Sequence, residues 1–359
     1  MDTKELDRRA REIALSDLAL EAICLAFDTL LRRAVPYVVA AWSTQDPATG
    51  LFTSCTVSGM PKDLEREARF FSYEYRDDEP NTFGRMIAEG RTVGVLSEAT
   101  GGDLDRAARY RELLRDQGCI DEIRGVFWAD QQPWGSVAIY GMQRRFTDDD
   151  AAKVATLAPY AARGLRLVLL RSAATRPEAV ADPPGILRVG QDGDVEAVTT
   201  PAQHWLDVGG PALVTAANAV AAAVRGNHDW TGAASRLSLP GARILSLHAA
   251  RTTGHDTDIA VIVDAARPAE VAAMLVDAYA LTPRQREVLG LLLRGGSMTQ
   301  ISHQLSISEH TANDHRKAIY ARVGVASRGE LAARLQTDQY HPRSHAGHAP
   351  SPYGGFLKN

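Results

Sequence analysis

Cysteine is scarce in this chain: Cys24, Cys55 and Cys119 are the three in 359 residues, widely spaced and in no metal-ligand pattern. A disulfide framework and a thiolate zinc site are thereby excluded, and the simplest compartment is the reducing cytoplasm. No apolar run approaches the roughly 18 to 20 residues of a membrane helix, so no membrane partner is expected. The opening MDTKELDRRAREIALSD is charged and lacks a signal-peptide core. Missing too are a Gly-rich nucleotide loop of P-loop spacing and the doubly wound βα pattern of a phosphoacceptor receiver. Aromatic residues are few, at 6%, so the places where they cluster carry information.

What is present is clearest near the end. Leu281 to Leu335 reads as four short helices with explicit start and stop signals. Thr282, before Pro283 and three residues from Gln285, caps the first, which ends at Gly295-Gly296. Ser297 with Gln300 opens the second, stopping around Leu305; Ser308 opens a third that ends at Gly324; Ser327 with Glu330 opens a fourth. Two short helices joined by a tight turn match the helix-turn-helix, whose second helix enters the major groove. On Glu309 to Val323, Ala312, Ile319 and Val323 make an inward stripe toward Val288, Leu289, Leu292 and Ile301, while His310, Asn313, Asp314, Arg316 and Lys317 face outward. The segment holds eight Arg or Lys and four Asp or Glu, a charge of +4 within a chain of −4. Basic charge concentrated in one head is the footprint of a modest DNA binder, for which a homodimer reading two half-sites is expected.

LTPRQREVL, the turn RGGS, QISHQLSISEHT, His315 and IYARVGV followed by SRGEL resemble the LuxR-type helix-turn-helix of bacterial transcription regulators. The resemblance implies base contacts at Asn313, Asp314 and Lys317, and contacts to the DNA backbone at Ser308, Thr311, His315, Arg316 and Arg328. It also suggests an ion pair between Glu287 and Arg322. Ala312 stands where the family has valine, Asn313 where it has lysine, and Met298-Thr299 where it has Asn-Lys. Asn pairs with adenine where Lys favours guanine, so A-containing contacts and a weaker phosphate contribution are expected. The plainer alternatives are a packing histidine at 315 and a solvated face at Arg316 and Lys317.

Residues 1–171 are expected to form a first sensor domain: a helix over 18–33, strands at 37–42 and 51–57, helices over 61–73 and 104–117, a hairpin of 123–129 and 134–140 joined by Asp130 to Pro133, and a closing helix from Thr147 to Leu170. This order, with WGSVAIYGMQRRFTDDDAAKVATLAPYAARGLRLVLL, resembles a GAF domain. The resemblance implies helices on one face of a sheet, a small-molecule pocket on the other, and pairing through terminal helices, to which the stripe Val154, Leu157, Ala161, Leu165 and Val168 is suited; an intradomain face is the alternative. Trp42, Phe70, Phe71, Tyr73, Tyr75 and Trp128 are the candidate ligand-binding set, with Glu74 and Arg76 as polar anchors, or else simply core.

SAATRPEAVADPP, at 172–184, reads as a linker. Residues 185–267 give strand, strand, helices and three strands, an order that resembles a PAS module; His204, Trp205 and His248 are its polar candidates, yet nothing fixes haem or flavin and no cofactor is expected. An amphipathic connecting helix spans 268–280, the head 281–336 and a polar tail, expected to be disordered, 337–359. The expected fold class is therefore α+β sensor domains, GAF-like then PAS-like, followed by an all-α four-helix helix-turn-helix domain. The expected function is a non-enzymatic, sequence-specific DNA-binding regulator whose sensor region senses a small-molecule effector or a partner and modulates DNA binding as a dimer. The alternatives are a thiol-redox or small-molecule enzyme, or a protein-interaction scaffold, tethered to DNA.

Overall fold

Asp2 opens the first helix, α1 (Thr3–Ala14), by accepting from the Glu5 amide at 2.8 Å. Leu6, Ala10 and Ala14 recur every four residues along it and are fully buried, so the charged N-terminus hides an apolar stripe that the sequence reading passed over. The computed structural model describes residues 1–174, 183–227, 229–239, 244–252, 255–335 and 355–357. After α2 (Leu20–Arg32) come β1 (Val39–Gln45), β2 (Phe52–Ser58), α3 (Leu64–Glu74), α4 (Phe83–Ala88), β3 (Val93–Val95), α5 (Leu96–Ala99), β4 (Asp121–Ala129), β5 (Gln132–Gly141) and α6 (Asp148–Ala174). The strands make one antiparallel sheet in the order β2-β1-β5-β4-β3. Helices α1, α2 and α6 pack together on one face, in agreement with the GAF-like expectation.

Three local readings change. Residues 104–117 are short 3₁₀ and π segments, because the Glu79 carboxylate accepts from the Ala108 amide at 2.9 Å and the Arg109 amide at 3.3 Å, starting a new turn after extended Ala107. The β4–β5 hairpin turns on Asp130 and Gln131 alone, both at positive φ (51° and 63°), as a two-residue turn that matches strand twist; Gln132 and Pro133 are already in β5. In α6, Val154, Leu157, Ala161 and Leu165 are buried within the domain, so the stripe read as a pairing seam is spent on the protein's own core, with Val168 left half-buried.

The second sheet repeats the plan. Strands β6 (Gly185–Val189) and β7 (Val195–Ala197) precede the long α7 (Thr200–Gly226), followed by β8 (Trp230–Ser238), β9 (Ile244–Thr252) and β10 (His255–Ala265). Their order is β7-β6-β10-β9-β8, and a short β11 (Gly355–Leu357) from the tail pairs with β8 at the edge. The rest of the tail, with His341, His345 and His348, and most of the 172–184 linker lie outside the described residues; Ser172 to Ala174 continue α6. Gly210, at φ 50° and ψ −144°, kinks α7 just before Pro211. Among the described residues α7 is the one helix long and apolar enough to cross a bilayer, yet Leu213, Ala216, Ala217 and Val220 on it are fully enclosed.

Helix α7 lies against both sheets, meeting β2 and α3 on one side and β6, β8 and β9 on the other. Phe52, Phe71 and Met86 therefore share one core with Trp205, Leu213, Val220, Leu247 and Val261. Asp46, buried after β1, receives the Arg236 amide at 2.8 Å and its guanidinium at 2.5 and 3.0 Å, a buried link from the first sheet to β8. Met1–Ala265 is thus one compact unit, and the helices after it are a second. That second unit holds α8 (Pro268–Ala278), α9 (Pro283–Leu293), α10 (Met298–Gln304), α11 (Glu309–Val323) and α12 (Arg328–Leu335). Helix α8, read as a connector, packs on α12 and pairs Asp277 with Arg286 of α9.

Candidate functional site

The head is set by its caps. Thr282 and Gln285 form a reciprocal box at 3.0 and 3.3 Å, and Ser297 and Gln300 another at 2.9 and 3.2 Å. Ser308 accepts from the Thr311 amide at 3.0 Å to start α11, and Gly324, at φ 72°, stops it in the left-handed conformation. Ser327 accepts from the Glu330 amide at 3.1 Å to start α12. Each cap fixes where a helix begins, and so which face of α11 turns inward. Ala312, Ile319 and Val323 are buried with Val288, Leu289, Leu292 and Ile301, as the spacing predicts. Packing α11 across α9 and α10 leaves its opposite side as a continuous polar face.

On that face His310, Thr311, Asp314 and Lys317 are exposed, while Asn313, His315 and Arg316 are half-buried. Asp314 sits 3.4 Å from His310 Nε2 and 3.9 Å from Lys317 Nζ, one and nearly one turn away, so its charge is flanked by nitrogen on both sides. Asn313 Nδ2 donates to the Glu309 carbonyl at 3.0 Å, and the Arg316 guanidinium lies 5.9 Å from the Tyr320 ring. The Ser308 and Thr311 hydroxyls share a hydrogen bond of 2.8 Å beside the cap. Arg328 stands apart from this row: it is on α12, half-buried, with Nη1 3.5 Å from the Gly296 carbonyl in the turn before α10. The expected Glu287–Arg322 pair does not form. Glu287 pairs with Arg284 one turn back on its own helix, and Arg322 donates to the Ala280 carbonyl.

The first unit holds the second candidate site, a cavity of about 100 Å³ on the sheet face away from α1, α2 and α6. Along β1, Val39, Ala41 and Ser43 line it, and by strand alternation Trp42 points the other way. Trp42 is stacked between Phe27 and Phe127, with its Nε1 donating to Asp28 at 3.1 Å, so it is core and not a ligand contact. Phe70 and Phe71 do line the cavity, with Phe52 and Phe83. Tyr73 packs instead with Ala108, Leu113, Leu114 and Cys119 and donates to Glu112; Tyr75 stacks on Phe71 beneath the wall; and Trp128, at the hairpin, donates to the Arg91 carbonyl at 3.2 Å. None of these three lines the cavity.

Glu74 is no anchor either. It is fully buried and accepts from Arg124 and from the Phe83 amide, both at 2.6 Å, in a network with Arg109 and Glu122. Burial pushes the Glu74 carboxyl up against the pull of Arg124 and Arg109; burial pushes Glu122 up too, but the same two guanidinium groups overcome it and hold that carboxyl below its ordinary range. Arg76 pairs with Asp78 at the surface. In the second sheet, Trp205 is buried and donates to the Pro183 carbonyl at 3.1 Å, while His204 and His248 are exposed, so the three do not form one pocket.

The polar cavity group that sequence reasoning missed is Glu67, whose side chain is 8% exposed. It accepts from Thr215 of α7, and its Oε2 lies 3.6 Å from Lys62 Nζ. Lys62 donates in turn to the Cys55 carbonyl at 2.9 Å. Burial, set against Lys62, raises the Glu67 carboxyl. Burial first, then the Glu67 charge, pushes the Cys55 thiol up to about 12; burial, then Glu122, does the same to Cys119. Both thiols are therefore held protonated, the opposite of what a nucleophilic cysteine requires.

A second helix carried across a first, with a polar face outward, defines the head as a helix-turn-helix domain. Residues 279–335 match the family described as bacterial regulatory proteins, luxR family, so the head is a LuxR-type helix-turn-helix domain. Over 51 residues, 14% of this chain and 24% of the relative, it is 39% identical to the transcriptional regulatory protein MctR of Rhizobium johnstonii. Over 54 residues, 15% and 24% of the two chains, it is 39% identical to the monoamine regulon transcriptional regulator of Klebsiella aerogenes. The chain thus spans about a quarter of the length of these relatives. A GAF domain from a phosphoenolpyruvate-protein phosphotransferase of Coxiella burnetii matches with a TM-score of 0.35 at 13% identity, over 48% of this chain and 98% of that one.

Proposed function

We propose that this protein is a cytoplasmic transcription regulator that binds double-stranded DNA as a homodimer and alters that binding when its N-terminal unit takes up a small molecule. The observation that carries the reading is α11 itself: its apolar stripe is buried on α9 and α10, and the opposite face offers Lys317, Asp314, Asn313 and Arg316 in a segment of charge +4. In this reading Asn313, Asp314 and Lys317 meet base edges, and Ser308, Thr311, His315 and Arg316 meet the backbone. Arg328 meets a phosphate with the guanidinium donors left over from its single 3.5 Å bond to the Gly296 carbonyl. Two relatives that match the head are named as transcriptional regulators, which supports the same class.

The second sheet is read as PAS-like, supported by its strand order with α7 placed between its second and third strands. A sensing role for the first unit is supported by the cavity, whose far wall meets α7 through Glu67 and Thr215. The test is binding of the full chain to a pool of random duplexes at low and at physiological salt. Recovery of an inverted repeat, with affinity falling steeply as salt rises, is expected. Binding with no sequence preference at either salt would overturn the regulator reading.

A further inference from the structure

The cavity has a composition that selects a ligand. Four phenylalanine rings, Phe52, Phe70, Phe71 and Phe83, form its wall, and its volume of about 100 Å³ is below the ~150 Å³ at which a dry apolar cavity holds benzene. A single small ring, with slight yielding of the wall, suits that volume. Glu67 lines the same space, with Oε1 taken by Thr215 and Oε2 held only loosely, by Lys62 at 3.6 Å and the weak donor of the Cys55 thiol, so that a stronger donor can take it. The charges nearby already balance: Lys62 stands 3.6 Å from Glu67, and Arg66 pairs with Asp63 at 3.3 Å. A charged ligand would leave one buried charge uncompensated, whereas a neutral one would not.

We infer that the cavity takes a neutral, single-ring molecule bearing one O–H or N–H donor, of which phenol is the simplest, with the ring among the phenylalanines and the donor on the Glu67 carboxylate. This rests on the reading of the cavity as the sensor site. Glu67 also holds Thr215 through its other oxygen, so a ligand donor shares one carboxylate with α7, and occupancy is reported directly to the helix that joins the two sheets.

The test is calorimetric titration of the full-length protein with phenol and with toluene, which differ by O–H against CH₃ in nearly the same volume. Toluene is the more easily desolvated, so a preference for phenol isolates the hydrogen bond. Phenol is expected to bind about tenfold tighter or more. Glu67→Gln should lower that advantage several-fold and leave toluene unchanged, and Leu114→Trp, which fills the cavity, should abolish both. Toluene binding as tightly as phenol to the unaltered protein, or a phenol preference undiminished in E67Q, overturns the ligand class while the cavity remains a binding site. Binding of neither overturns the ligand class and the sensor reading together.

Discussion

Asp150 shows how much one side chain does at the start of α6. It accepts from the Thr147 amide and hydroxyl, both at 2.9 Å, and from Arg144 at 2.6 and 3.1 Å. Burial raises its carboxyl, but Arg144 and the Thr147 donors more than reverse this and hold it below the ordinary value. A lowered folded pKa contributes stability that is present above the unfolded value, near 3.9, and lost as pH falls through the folded one. An acid titration followed by far-UV circular dichroism should therefore show Asp150→Asn flatter than the unaltered protein below about pH 4; equal slopes would remove Asp150 from the acid transition. The same scale explains what the sequence could not reveal about the cavity. Trp42 enters the ligand set as one of the clustered aromatics, when alternation along β1 already puts it opposite Ala41 and Ser43. Glu67 carried no local signal at all, because the Thr215 that marks it lies 148 residues away.

Elements were legible where their ends are written locally. Three of the four head helices begin at a Ser or Thr with a Glu or Gln three residues on; the first two boxes close reciprocally, while at the third Ser327 caps the Glu330 amide but the Glu330 carboxylate takes the Ala326 amide instead of that of Ser327. Ser297→Ala removes one such cap and should cost about 1 kcal/mol, which speeds hydrogen exchange of the α10 amides roughly fivefold; unchanged exchange would mean that packing alone fixes the helix. Gly324→Ala places a side chain at φ 72° with open space around it, so its cost, about 1 to 2 kcal/mol, is purely conformational and should appear as fraying of the end of α11. The 104–117 stretch failed as one helix because a new turn is started after Ala107 by Glu79, a carboxylate from a distant loop that no local pattern contains. Likewise α1 was hidden by charge, since an apolar stripe of one Leu and two Ala is faint against its Arg and Glu residues.

At the scale of the molecule, the succession of elements pointed to a sheet in each sensor module, but neither the short edge strand β3 nor the fusion of the two sheets around one helix was legible. An Ala-rich helix reads as ordinary amphipathic structure, and only the fold reveals that α7 is enclosed by apolar surface on two sides. Met1–Ala265 should therefore unfold in one transition, and removing the Asp46–Arg236 link with Asp46→Ala should lower its stability by about 1.5 to 3 kcal/mol through loss of the charged acceptor that holds the Arg236 amide and guanidinium. Two separate calorimetric transitions within this unit would contradict the fused core. The claim on which the functional account depends is that α11 reads DNA through its outward face. It is tested most directly by selecting duplexes with the full chain and with Lys317→Ala side by side. The account predicts that the variant keeps its overall mode of binding, loses preference at one base pair of each half-site, and binds the selected sequence about 1 to 3 kcal/mol more weakly. Identical preference and affinity in the two proteins would contradict it.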